Sequence, residues 1–216
     1  MRNPSLYRIG GAALVAGAVL NAAGVLLHAP QPLNLAAYAA AAASGGWMAS
    51  HWFLALGATL VVAGLFALTR HLFTTRAEGW AVLGFAATAV TGALFVAVVA
   101  PEIAAFPALL QAAGAGSEVA AEHAYLAVNS TLMGLMHVAA PIFWAGTVCY
   151  GLALLADAAF PRWLAQAGIA VGVVEIGSFL FVTQNWTVLR LVLLAGFVWL
   201  GLVGNSLARV KAPVHV

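Results

Sequence analysis

The run VGVVEIGSF, residues 171–179, sets Glu175 inside an otherwise apolar stretch. A charged side chain in hydrocarbon is costly, so an ionisable residue within a membrane span is a functional candidate by default. His51, Glu102 and His137 are the other chemistry-bearing residues next to long apolar runs, and Asn21, His28 and Arg190 stand close to the ends of such runs. Glutamate and histidine together suit general acid–base work. Two histidines with a carboxylate, here His51, His137 and Glu102, also suit a divalent metal such as zinc, iron or manganese. His51 and His137 on different helices would serve equally as axial ligands of haem b, with Arg190 pairing a propionate. Singly, His28 and His51 fit an ordinary membrane interface, and Glu102 beside Pro101 fits an interfacial cap. Convergence of the set is what would make a site.

The elements that must position these residues are read from composition. The 216 residues are 64% hydrophobic and 6% charged, with a mean hydropathy of +1.04. Soluble domains carry about 25% charged residues, so the chain reads as an all-α integral membrane protein, a single transmembrane domain over 1–216. Eight basic and six acidic residues form no basic tract or acidic tail, which leaves nucleic-acid binding without support. Cys149 is the sole cysteine, so neither an intrachain disulfide nor a two-cysteine relay can form. No HExxH, GxSxG or GxxxxGK motif is present, which argues against zinc-protease, serine-hydrolase and ATP-driven chemistry.

A spanning helix needs about 20 mostly apolar residues. Stretches at about 9–28, 51–69, 80–101, 132–156, 163–182 and 189–208 qualify and predict six transmembrane helices. The first resembles a signal peptide, with Arg2 and Arg8 ahead of its apolar core, but it is long for one, and it is read as a helix. Arg2, Arg8, Arg70, Arg76, Arg162, Arg209 and Lys211 fall on one side, leaving only Arg190 opposite. The positive-inside rule then places both termini in the cytoplasm. The outer segments, about 29–50, 102–131 and 183–188, are read as loops, the first two long, rich in alanine and glycine and able to carry short interfacial helices; Glu118, Glu122 and His123 in the second, and His71 and His215 elsewhere, read as solvated. Trp47, Trp52, Trp80, Trp163 and Trp186 read as an aromatic belt.

A rise of 1.5 Å per residue turns distance from a cytoplasmic arginine into depth. Glu175, 13 residues beyond Arg162, and Asn21, 13 beyond Arg8, stand about 20 Å up; His28, His51, Glu102, His137 and Arg190 reach the outer boundary. Polar side chains thus collect in the outer half. Helical spacing places Glu175 on one face with Gly168, Gly172 and Ser178, pointing into the bundle. Gly17, Asn21, Gly24 and His28 form a matching stripe, as do Gly92, Phe95, Val99 and Glu102. Pro141 frees the carbonyl of His137.

The second and third spans resemble the fourth and fifth. His51 precedes Gly64 and then Trp80, as His137 precedes Gly151 and then Trp163, in the sense of a parallel repeat. The strings VLLHAP, SHWFLALGATLVVAGLFALTRHL and PRWLAQAGI resemble a broad group of small six-span bacterial integral-membrane proteins of uncharacterised function, in which a His-Pro-like end of the first span precedes a histidine opening the second. Here Ala29 intervenes between His28 and Pro30. The resemblance covers most of the chain and implies a six-helix fold in a bacterial inner membrane, with no indication of reaction or ligand.

Three function classes fit these residues. The first is a membrane-embedded enzyme acting on a lipophilic small molecule (a lipid, isoprenoid or quinone-like compound) that enters from the lipid bilayer, with Glu175, Glu102 and His137 as catalytic groups. The second is a bis-histidine haem protein. The third is a small proton-coupled transporter, disfavoured by the scarcity of polar groups in the inner half. An oligomer is compatible with each.

Overall fold

The computed structural model describes residues 4–73, 75–182 and 185–210. Arg2, Lys211 and His215 lie outside the described residues. The architecture is all-helical: α1 (Pro4–Leu27), α2 (Leu35–Ala43), α3 (Gly46–Leu72), α4 (Glu78–Ala112), α5 (Glu118–Leu155), α6 (Arg162–Phe181) and α7 (Trp186–Ala208), with a short π-helical turn, Ala113–Ser117, between α4 and α5. Among the described residues, five helical stretches are long and apolar enough to cross a membrane; the third, Glu78–Leu155, comprises α4 and α5. Gly116, at φ +94°, folds it back on itself, a conformation that glycine adopts without the Cβ penalty. The chain therefore has the helices of a multi-pass membrane protein.

Local chemistry explains the helix limits. α1 begins at Pro4, where a missing N–H costs nothing, and stops short of Pro30. Asn34 caps α2 by accepting from Ala37 N at 2.7 Å, and Asn185 caps α7 by accepting from Val188 N at 3.1 Å. Gly45, at φ +71°, turns the chain from α2 into α3.

α1 packs between α3 and α7, and the order α3, α4, α5, α6, α7 closes the ring. Close approach depends on glycine. A Cβ at Gly11 would stand 2.5 Å from the Gly204 carbonyl oxygen, and one at Gly17 would stand 2.7 Å from that of Gly57. Gly168 and Gly172 likewise admit Trp199 and the Trp144 backbone.

The half of the ring nearer the α5–α6 turn is a hydrophobic core, with Leu14, Leu65, Leu68, Leu154, Leu164, Trp199, Leu200 and Val203 in one cluster. Its buried hydroxyls turn back on helix carbonyls: Thr69 donates to Leu65 O and meets Tyr150 Oη at 2.7 Å, and Thr88 donates to Gly84 O. His71, expected in solvent, is fully buried; its Nε2 lies 2.6 Å from Asp157 Oδ2, between Tyr7 and Phe160. The arginines on either side of it pull the eye to a loop, yet α3 continues through Leu72 and turns this histidine inward.

The segment 102–131, expected as a loop, is mostly helix. At 35 and 38 residues, α4 and α5 run to about 50–60 Å, well past a hydrocarbon core of about 30 Å. Their outer ends and α2 bury Leu35, Tyr38, Trp47, Phe106, Ala121, Tyr125 and Leu132 in a separate cluster, a folded cap above the ring. Trp47 is thus core, 1% exposed, whereas Trp52, Trp80 and Trp163 stay exposed, as an aromatic belt requires.

Candidate functional site

The ring encloses a cavity of about 400 Å³ toward the end that carries the cap. Each of its six long helices contributes lining: Asn21 and Val25 from α1, Leu54 and Val61 from α3, Phe95 and Val99 from α4, Phe143 and Trp144 from α5, Phe179 from α6, and Leu193 and Phe197 from α7. From Val61 to His51 and from Thr91 to Glu102 the wall rises about 15 Å. Most of that wall is aliphatic or aromatic. Polar side chains gather at one end, where His28, Gln31, His51 and Glu102 line it.

Two helix positions make the central pair. His51 stands one turn into α3 and Glu102 directly follows Pro101 on α4; both are almost wholly buried. His51 Nε2 lies 2.7 Å from Glu102 Oε2. His51 Nδ1 lies 2.6 Å from the Trp47 carbonyl oxygen, an atom that accepts only, so Nδ1 carries a proton and donates. A hydrogen bond at one ring nitrogen fixes the role of the other. Nε2 thus faces the carboxylate at ion-pair distance though outside hydrogen-bond geometry, two groups of the kind acid–base work uses. Ser50 Oγ donates to the same Trp47 carbonyl at 2.7 Å.

The residues after α1 roof this pair. Gln31 Nε2 donates to Glu102 Oε1 at 3.1 Å and to Asn129 Oδ1 at 2.7 Å, bridging α4 and α5. Asn129 Nδ2 and Tyr125 Oη both donate to Pro32 O. Leu35 N donates to Glu122 Oε2 at 3.0 Å, so Glu122 is a strut of the cap rather than a solvated charge. Tyr38 Oη reaches Glu102 O at 3.5 Å; burial, with the Glu102 carboxylate second, pushes this phenol up and keeps it a donor. Gln31, Tyr38, Trp47, Tyr125 and Asn129 carry no intramembrane signal in the sequence, because all stand in segments read as loop. The pairing of an amide in 29–50 with one in 102–131 was the only trace available.

The remaining candidates separate. His28 lines the cavity, its ring 4.9 Å from that of His51 and its Nδ1 against the Ala29 carbonyl. Asn21 lines the lower wall, where Gly57 leaves room for its amide. His137 lines the mouth and is exposed, its Nδ1 donating to Met133 O at 2.7 Å. His51 and His137, symmetry mates in the expected repeat, therefore have unlike surroundings. Arg190 Nη2 donates to His28 O at 2.7 Å, beside the cavity rather than in its lining. Trp186, expected in the belt, lines the cavity.

Glu175 is fully buried on the predicted face with Gly168, Gly172 and Ser178, but it is not among the cavity's lining residues. A Cβ at Gly196 would stand 2.2 Å from Trp144 Cη2 and 2.8 Å from Glu175 Oε1; the carboxyl thus sits buried against α7, beside the indole that forms the wall. Neither of its oxygens has a hydrogen-bond partner. For a metal, His51 and Glu102 supply two adjacent donors, yet among the described residues no three His, Cys, Asp or Glu side chains converge. His137 does not complete the set. For haem, His51 Nδ1 is held by the Trp47 carbonyl and Nε2 faces the Glu102 carboxylate at 2.7 Å.

No protein-family model matches this chain, and no curated protein or solved structure is similar to it.

Proposed function

We propose that the protein is a membrane-embedded enzyme whose lipophilic substrate occupies the cavity, with its reacting polar end against His51 and Glu102. One observation carries the reading: the 2.7 Å His51–Glu102 pair closes the polar end of an otherwise apolar cavity. Ligand sites are typically apolar clefts with a few placed polar groups, and this one would take a hydrocarbon body below and a polar group above. The acid–base assignment goes to His51 and Glu102. Glu175, outside the lining, is read as a buried packing residue, and His137 as a residue of the entrance. Six spans in the cytoplasmic membrane of a bacterium, with both termini inside, account for the arginine distribution and put the cavity in the extracytoplasmic half, open to lipid near His137.

Substrate trapping tests the reading. Wild type, Glu102→Gln and the cavity-filling Ala140→Phe are purified in a mild detergent, and their bound lipophiles are identified by mass spectrometry. A molecule enriched severalfold in Glu102→Gln and depleted in Ala140→Phe is the expected result. Identical extracts from all three proteins would refute it.

A further inference from the structure

Beside the His51–Glu102 pair lies a cation with no anion to match it. The Arg190 guanidinium spends Nη2 on the His28 carbonyl and stands over the Trp186 ring, Cζ 5.4 Å from its centroid. Among the described residues no carboxylate lies within ion-pair distance of it; the two ion pairs present are His51–Glu102 and His71–Asp157. Two neighbouring donors also lack acceptors: among the described residues, Arg190 Nε and Trp186 Nε1 are both buried without a hydrogen-bond partner. Trp186 lines the cavity, and the His28 ring lies 5.4 Å from it and 4.9 Å from the His51 ring. Trp186 thus stands in the cavity wall one side chain from the proposed reacting pair, with Arg190 directly behind it, outside the lining.

Buried donors are nearly always satisfied, and an unsatisfied one calls for an explanation. Two N–H donors and an uncompensated positive charge on adjoining side chains ask for one thing, an anionic oxygen group. Guanidinium suits carboxylate and phosphate because its fork offers parallel N–H bonds of the charge-assisted kind. A neutral carbonyl would satisfy one donor and leave the charge unanswered. The cavity below would hold a hydrocarbon chain about as long as its 15 Å wall.

We infer that the cavity selects a single-chain amphiphile with a terminal anionic oxygen group, a carboxylate or a phosphate monoester, whose head is held by Arg190 and Trp186 beside His51. The inference rests on the proposed substrate cavity and names the class of molecule it takes. Phospholipids of the surrounding bilayer offer the same head chemistry at the rim, and the test separates them.

The detergent-solubilised protein is titrated with dodecyl phosphate, dodecanoate and dodecanol, each below its aggregation limit, and tryptophan fluorescence reports binding. Both anions are expected to bind at least about tenfold more tightly than the alcohol, as one charge-assisted hydrogen bond implies. Arg190→Gln removes the preference for the anions over dodecanol, whereas Arg190→Lys keeps part of it. Ala140→Phe, or Ala58→Phe should the first variant fold poorly, abolishes binding of all three. Equal affinity for the three probes in wild type overturns the head-group inference and leaves the cavity reading standing. Binding of none of them in wild type defeats both. An anionic preference that persists in a folded cavity-filled variant overturns the inference too, because Arg190 then meets lipid heads at the rim and not a cavity ligand.

Discussion

His51 and Glu175 are both buried ionisable residues, and their partners set them apart. His51 has a carbonyl on one nitrogen and a carboxylate at the other; the Glu175 carboxyl has none. A buried polar group without a partner costs about 1–3 kcal/mol, and replacing such a group by an apolar one of similar volume is often stabilising. Glu175→Leu is therefore expected to raise the thermal midpoint in detergent, by the equivalent of about 1–3 kcal/mol, with ligand binding within twofold of wild type. Loss of binding with the fold intact would return Glu175 to the site. The inward face of Glu175 was legible from its spacing to Gly168 and Gly172, because helical periodicity survives in lipid. Its exclusion from the cavity was not, because that depends on the Trp144 indole crossing to Gly196 from another helix. In the same way, counting residues set His51 and Glu102 at one depth, but their contact follows from which helices are neighbours. Gln31 and Asn129, which complete the polar end, left no periodic mark at all.

Among the elements, α4 and α5 depart most from what the sequence implies. Spans limited to about 20 residues left 102–131 as a loop rich in alanine and glycine, yet alanine is the strongest helix former and Pro101 and Pro107 sit inside α4 without ending it. Only Gly116 needs a special backbone conformation there. The glycines of this chain therefore act by two mechanisms, and stability should separate them. Nothing lies within 4 Å of a Cβ placed at Gly116, so Gly116→Ala carries a backbone cost alone, about 1 kcal/mol. Gly11→Ala drives its Cβ to 2.5 Å from the Gly204 oxygen and 2.7 Å from Ala208 N. It must part α1 from α7, at about 1–3 kcal/mol. Denaturation in mixed micelles compares the two. A Gly11→Ala protein as stable as wild type would show that the α1–α7 seam yields. The single helix faces, the order of apolar runs and the turns at Gly45 and Gly116 are local properties, which is why most spans were legible; how far a helix continues beyond the bilayer depends on the cap it joins.

On the scale of the whole molecule, the described residues divide into a packed half at the α5–α6 turn, a half that holds the cavity, and a folded cap at the α4–α5 turn. That asymmetry fits a protein that receives a molecule from one side better than one that passes it through. It also predicts which surfaces face outward. In a Cys149→Ser background, Gly114→Cys at the α4–α5 turn should react with a membrane-impermeant maleimide on intact cells, and Ala159→Cys in the α5–α6 turn only after permeabilisation; the reverse pattern would invert the topology. Most direct is a photoreactive alkyl diazirine added to the protein in nanodiscs, with the labelled peptides mapped by mass spectrometry. Saturable labelling of cavity-lining Val99, Met136 and Phe197, abolished by Ala140→Phe, is the predicted result. Labelling confined to outward-facing residues such as Val174 and Leu202, unchanged in the cavity-filled variant, would contradict it.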